Sequence, residues 1–151
     1  MADLTNYAHI VGIDHGLSIV STTREDGSIQ CSLVNSGVLD HPVTGVPVVG
    51  YVAIGGTRKL ANLRLRPRTT VAVRGGWEWS AVEGDAELIG PDDPRDGVDA
   101  ERLRVLLREI FQAAGGAHDD WDTYDKVMAT ERRTAVLIEP VRAYPTNRRR
   151  D

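Results

Sequence analysis

Five consecutive residues, Gly55, Gly56, Thr57, Arg58 and Lys59, set two flexible positions, a hydroxyl and two cations side by side. They stand between an apolar run, Tyr51 to Ile54, and a short helical segment that Pro67 stops, because the residue before proline disfavours helical geometry. A helix N-terminus carries unpaired N–H groups and a partial positive charge, so it attracts phosphate or carboxylate. Cations in a first turn oppose that dipole, and a bound anion would offset the conflict. Without an anion, Thr57 would be an ordinary N-cap and the cations would extend into water. The chain has no Walker pattern and no Gly-x-Gly-x-x-Gly fingerprint, which argues against a nucleoside triphosphatase and a Rossmann dinucleotide domain. A phosphorylated ligand lying on a β-rich wall remains. One strand further on, Trp77 and Trp79 are placed either to shape a pocket for an aromatic ring or to pack at a barrel rim, and Arg74 adds a cation.

Other chemistries find less support. The serines lack a nucleophile-elbow context, and His9, His15, His41 and His118 are scattered, with no base pairing and no metal-ligand spacing to one another or to Cys31. His15, just before the first strand, either lines a pocket mouth or is a plain loop histidine. Cys31, the single cysteine, excludes an intrachain disulfide and reads as a small hydrophobe in a β-like run. A net charge of -4 offers no basic footprint for nucleic acid. No apolar run approaches about 18 residues and no basic segment opens the chain, so neither a membrane span nor a signal peptide is expected and the expected compartment is the cytoplasm. The 151 residues, 41% apolar and 26% charged, suit one globular domain over positions 1–151, with 145–151 a flexible basic tail ending in Arg148, Arg149 and Arg150.

The elements that must hold the anion site are mostly strands. Leu17 to Thr23 and Ser28 to Asn35 flank Asp26-Gly27, a dipeptide suited to a tight hairpin turn. Ser36 to Gly50, rich in Gly, Pro and Val, reads as a loop with room for a short extended piece. After the strand through Ile54 and the short helix, with Leu60 and Leu63 inward, come strands at Thr69 to Arg74 and Trp79 to Ile89, the latter bent or bulged at Gly84. Asp99 caps one long amphipathic helix, in which Leu103, Leu106, Leu107, Ile110, Phe111 and Ala114 recur at helical spacing until Gly115-Gly116. A second helix, Trp121 to Arg132, precedes a strand from Thr134 to Tyr144, where Pro140 demands an edge or a bulge. The predicted fold is mainly β, an antiparallel barrel with added α-helices.

The order of these segments resembles the flavin and deazaflavin oxidoreductases with a split β-barrel, the group that includes pyridoxamine-phosphate-oxidase-like proteins. The resemblance is carried by GLSIVSTTREDGSIQCSLVNSGVL, GYVAIGGTRKLANLRLRPRTTVAV, WSAVEGDAELI and RRTAVLIEPVRAYP, which cover most of the chain. It implies an FMN-binding-like split barrel with Greek-key strands, and a homodimer that holds a phosphate-bearing cofactor in a groove between subunits. Thr57, Arg58 and Lys59 would hold the phosphate. Ser21, Thr22 and Thr23 would flank the groove from the first strand, Asn35 and Ser36 from the second, and Ile54, Gly55 and Gly56 from the third. The arginine-rich style and the run TRKLANL are more similar to actinobacterial deazaflavin-dependent members than to true pyridoxamine phosphate oxidases. The implied cofactor is coenzyme F420, with FMN as the alternative. The implied reaction is hydride transfer to or from an unsaturated or quinone-like small molecule, and no residue is assigned as acid or base. A non-catalytic flavin, deazaflavin or haem carrier is the competing expectation, although none of the four histidines has the context of an axial ligand.

Overall fold

The structure is a computed structural model, and residues 2–145 of it are described. Arg148, Arg149 and Arg150, and with them most of the expected tail, lie outside the described residues. The elements are α1 (Thr5–Val11), β1 (Leu17–Thr23), β2 (Ile29–Asp40), β3 (Pro47–Ala53), α2 (Arg58–Leu65), β4 (Arg68–Gly75), β5 (Glu78–Ile89), α3 (Ala100–Ala113), α4 (Trp121–Thr130), β6 (Thr134–Ile138) and β7 (Arg142–Tyr144).

All strand pairs are antiparallel, in the order β4-β1-β2-β3-β6-β5, and a further β4–β5 pairing closes the sheet into a six-stranded barrel. The first four strands lie in the spatial order 4-1-2-3, the Greek-key arrangement. Closure matters physically because it leaves no unpaired sheet edge around the barrel. β7 lies on β5 beside the barrel.

Alternation of side chains sorts the core into two parts. Val20, Val34, Val49, Tyr51, Val71, Val73, Val82, Val136 and Ile138 point into the barrel, where α1 adds Tyr7, Ile10 and Val11 and α2 adds Leu60 and Leu63. The opposite face of β3 and β6 presents Val48, Ala135 and Leu137 to Leu106, Leu107 and Ile110 of α3. The helical spacing that predicted α3 is therefore the stripe that covers the outside of the barrel. Its cap is as expected, with the Asp99 carboxylate accepting from the Arg102 N–H at 2.8 Å.

Three segments depart from expectation. The presumed loop from Ser36 to Gly50 is mostly strand, since β2 runs on to Asp40 and β3 starts at Pro47, leaving a turn at 41–46. Its glycines mark close packing: a Cβ on Gly37 would lie 2.4 Å from the Ala113 carbonyl carbon, so the end of α3 rests directly on the strand. The final strand is two, β6 and β7, interrupted around Pro140, where the Val141 N–H still reaches the Glu83 carbonyl at 2.8 Å. Finally, α1 was not expected. It is a seven-residue helix whose Asp3 carboxylate accepts from the Thr5 N–H at 2.9 Å and whose Tyr7, Ile10 and Val11 enter the core.

Candidate functional site

The chain leaves β3 and turns at Gly55 and Gly56 before α2 begins. The Gly55 N–H donates to the Glu131 carbonyl at 3.0 Å, and a Cβ at Gly55 would stand 2.6 Å from the Arg132 carbonyl oxygen. Glycine here lets the turn lie directly on the segment from Glu131 to Arg133. Gly56 has φ +77°, a conformation that side-chain-bearing residues adopt at a cost. Thr57 occupies the N-cap position, with extended φ and ψ, yet its hydroxyl donates backwards to the Ile54 carbonyl at 3.0 Å and caps nothing. The first N–H of α2 that finds a backbone partner belongs to Ala61, bonded to the Thr57 carbonyl. No described residue accepts from the N–H groups of Arg58, Lys59 and Leu60. They form a set of donors directed at whatever occupies the helix end.

Charge concentrates at the same junction. Arg58 is exposed, Lys59 is half-buried, and neither makes an ion pair with any described residue. The Lys59 ammonium lies 5.5 Å from the centroid of the Tyr51 ring. Burial lowers the pKa of Lys59 below the usual lysine value, and repulsion from Arg133 lowers it further. Arg133 pairs with Glu131 at 2.6 Å, and Arg132 pairs with Asp92. Four cations, Arg58, Lys59, Arg132 and Arg133, thus face two carboxylates, so the junction favours an anion. Tyr51 itself is fully buried with a hydroxyl that has no hydrogen-bond partner among the described residues, and burial raises its pKa.

Arg133 also forms one wall of a cavity of about 410 Å³ outside the barrel, lined among others by His15, Asn35, Val52, Phe111 and Tyr124. Phe111 and Tyr124 belong to an aromatic cluster with His118 and Trp121, the Phe111 and Tyr124 centroids being 5.2 Å apart. At the mouth, the Asn35 amide donates to the His15 carbonyl at 2.8 Å, and the His15 ring nitrogen lies 3.3 Å from the Gly115 carbonyl. One guanidinium, one amide, one imidazole and an apolar wall in a space of this size match the usual make-up of a small-molecule pocket.

The remaining predicted residues lie elsewhere in the fold. Ile54 is exposed beside the turn. Ser21 points out of the barrel, 3.6 Å from the Cys31 sulfur. Thr22 points inward and accepts from the Asn62 amide at 3.1 Å, while the Thr23 carbonyl accepts from Arg66 at 2.8 Å, so both hold the C-terminal half of α2. Ser36 is buried between the Tyr7 and Ser18 hydroxyls. Arg74 and Trp79 oppose each other at the β4–β5 turn, where Arg74 donates to the Gly76 carbonyl and Trp79 packs edge-on against Tyr144. Sequence reasoning did not single out Arg133 or Tyr124, and it placed Phe111 only on the apolar stripe of the long helix. The adjacent pair Arg132-Arg133 just before β6 was the available signal, because it repeats the cation doublet of α2 at a second element boundary.

A closed six-stranded Greek-key barrel, with side chains of α1 and α2 in its core and α3 on its outer face, is the split β-barrel of FMN-binding-like proteins, the fold that the segment order implied. Compared with known protein families, the chain matches none. Among solved structures it is similar to a pyridoxamine 5'-phosphate oxidase-related, FMN-binding protein from Nostoc punctiforme, with TM-score 0.63 and 12% identity over 95% of this chain and 84% of that one. It is similar to an F420 reductase with TM-score 0.59 and 14% identity over 87% and 91% of the two chains. A conserved hypothetical protein from Mycobacterium tuberculosis gives TM-score 0.59 at 18% identity over 90% and 81%. At these identities the likeness is one of fold.

Proposed function

We propose that this chain is an oxidoreductase that holds a phosphate-bearing deazaflavin, coenzyme F420, with FMN as the alternative, and moves a hydride between it and an unsaturated or quinone-like small molecule. The observation that carries this reading is the first turn of α2, where three unpartnered N–H groups and an unpaired, half-buried Lys59 meet. A phosphate fits that donor set, since it brings acceptor oxygens for the N–H groups and charge for Lys59 and Arg133. Val52, Phe111 and Tyr124 offer an apolar wall to a planar ring and keep water from it. When bound, the cofactor supplies the hydride chemistry, and the chain supplies binding, orientation and electrostatics.

The reading includes a cytoplasmic homodimer acting without nucleic acid or membrane. Ile19, Ile29 and Leu33, 46%, 56% and 64% exposed, stand on the outer face of the β1–β2 hairpin, with Ile19 directly opposite Leu33. Exposed apolar residues on one face suit an association surface. Among the described residues, no helix is long and apolar enough to cross a membrane.

Calorimetric titration of the wild type and of Lys59→Glu with coenzyme F420 and with FMN tests the site. Wild-type binding that Lys59→Glu abolishes, at an unchanged circular dichroism spectrum, is the expected result. Failure of both cofactors to bind, or unchanged binding by the variant, rejects the reading. Tight binding of FMN alone selects the alternative cofactor. Cofactor binding with no reduction of enones or quinones identifies a carrier. Sedimentation of Leu33→Arg as a monomer, against a wild-type dimer, checks the association surface.

A further inference from the structure

A second cavity, of about 470 Å³, lies between the segment 90–99, α3 and α4, and its walls include Ile89, Val98, Leu103, Leu107, Met128 and Ala129. It is open to solvent on one side, and its size and mostly apolar walls match those of a small-molecule pocket. The segment that forms its outer wall is pinned in place. Asp93 pairs with Arg64 of α2 at 2.7 Å, Asp92 with Arg132, and Arg95 with Glu87 of β5 at 3.5 Å. Two short bridges, Gly90 with Asp93 and Arg95 with Val98, stiffen it further. These ties keep the segment from collapsing onto α3.

The charged groups around the cavity are already satisfied. Asp99 caps α3, Asp125 pairs with Arg104 at 2.9 Å and also with Arg108, and Arg133 pairs with Glu131. What the cavity offers an occupant is therefore carbon surface, with no unmet charge to recognise. We infer that this cavity is a binding site for a neutral, apolar small molecule, separate from the anion site at α2. Met128, a flexible side chain that adapts to irregular shapes, and Arg133 stand between this cavity and the one containing Asn35. Arg133 is shared with the anion site, so the inference rests on the other walls, none of which belongs to the first turn of α2 or to the segment from Glu131 to Arg132.

The test uses the full chain and the neutral fluorescent probe N-phenyl-1-naphthylamine. Saturable enhancement with one probe per chain is expected, and its sulfonated analogue, 8-anilinonaphthalene-1-sulfonate, should bind more weakly. Ala129→Phe fills the cavity from an exposed position on α4 and should weaken binding by about tenfold or more. Val127→Phe makes the same helix larger outside the cavity and should leave binding unchanged, as should Lys59→Glu. Ala100→Phe, from the opposite wall, decides the matter if Ala129→Phe does not fold. Absence of saturable binding, tighter binding of the sulfonate, or indifference of the probe to the filling variant overturns the inference.

Discussion

Replacing Lys59 by methionine keeps an unbranched apolar stem over Tyr51, one atom shorter, and removes the charge. In the free protein that charge has one favourable contact, the Tyr51 ring at 5.5 Å, worth about 0.5–1 kcal/mol. Burial and repulsion from Arg133 oppose it, as the lowered pKa shows. The lowered pKa makes the charge net unfavourable in the fold, so Lys59→Met should leave unfolding stability unchanged or raise it, by no more than about 1 kcal/mol. Phosphate affinity behaves differently, since a charge-assisted hydrogen bond contributes about 1.5–3 kcal/mol. Affinity for the phosphate-bearing cofactor should fall about 10- to 150-fold. The sign of the pH dependence follows from the same shift. The unfolded chain binds the Lys59 proton more tightly than the folded chain does, so wild-type stability rises with pH between the lowered folded value and the ordinary 10.5. Tyr7 and Tyr51, both raised by burial, oppose this only above their ordinary 10.0. The methionine variant should lack the rise, and wild-type phosphate affinity should weaken as pH climbs through the lowered Lys59 value. Urea unfolding and calorimetric titration across pH 6–10 measure both. A variant destabilised by more than about 2 kcal/mol with unchanged phosphate affinity would refute the reasoning and make Lys59 a packing residue.

Gly55→Ala should cost about 1–3 kcal/mol and weaken cofactor binding together with stability, because its Cβ would push the turn away from Arg132; urea melts and titration report both. Tyr51→Phe and Tyr7→Phe should shift stability in opposite directions. The first removes a buried hydroxyl without a partner and should be neutral or stabilising by about 1 kcal/mol, while the second breaks the 2.5 Å bond to Ser36 and should cost about 1–2 kcal/mol in the same melts. Hydrogen bonding from Arg108 holds the Asp125 carboxyl below its usual 3.8, so the pairs with Arg104 and Arg108 stabilise α4 above that value and are lost as pH falls through the lowered one. Trp121 fluorescence should report this acid loosening, and Asp125→Asn should show it already at neutral pH.

The features legible in the sequence were those with local causes. Asp26-Gly27 made the first hairpin, the Asp99 cap and the apolar spacing made α3, and Pro67 ended α2 within two residues of the prediction. What escaped was set by distant partners. Gly37 and Gly50 resembled loop residues because the α3 helix and the Leu39 and Leu137 side chains that crowd them come from elsewhere in the chain. The α1 helix is seven residues long, below the length at which propensity alone is informative, and it exists because Tyr7, Ile10 and Val11 enter the barrel. At the site, the cation doublet of α2 was visible, whereas Arg133 joins it only through the contact of Gly55 with the segment before β6. The resemblance set Thr22 and Ser36 beside a groove, and both side chains face the interior, an orientation that depends on strand pairing and not on residue type.

The way β5 is paired has a consequence for how the molecule is assembled. β4 and β5 form a local hairpin, but the other side of β5 waits for β6, whose sequence lies some 45 positions beyond and which must also reach β3. Until β6 arrives, β3 and β5 are two open edges of an unclosed sheet, and non-local pairings of this kind form late. Glu131 and Arg133 travel on the same stretch of chain. The contact at Gly55 and the second half of the cation cluster therefore come into being with the last stitch of the barrel, so the proposed anion site can be complete only once the sheet has closed.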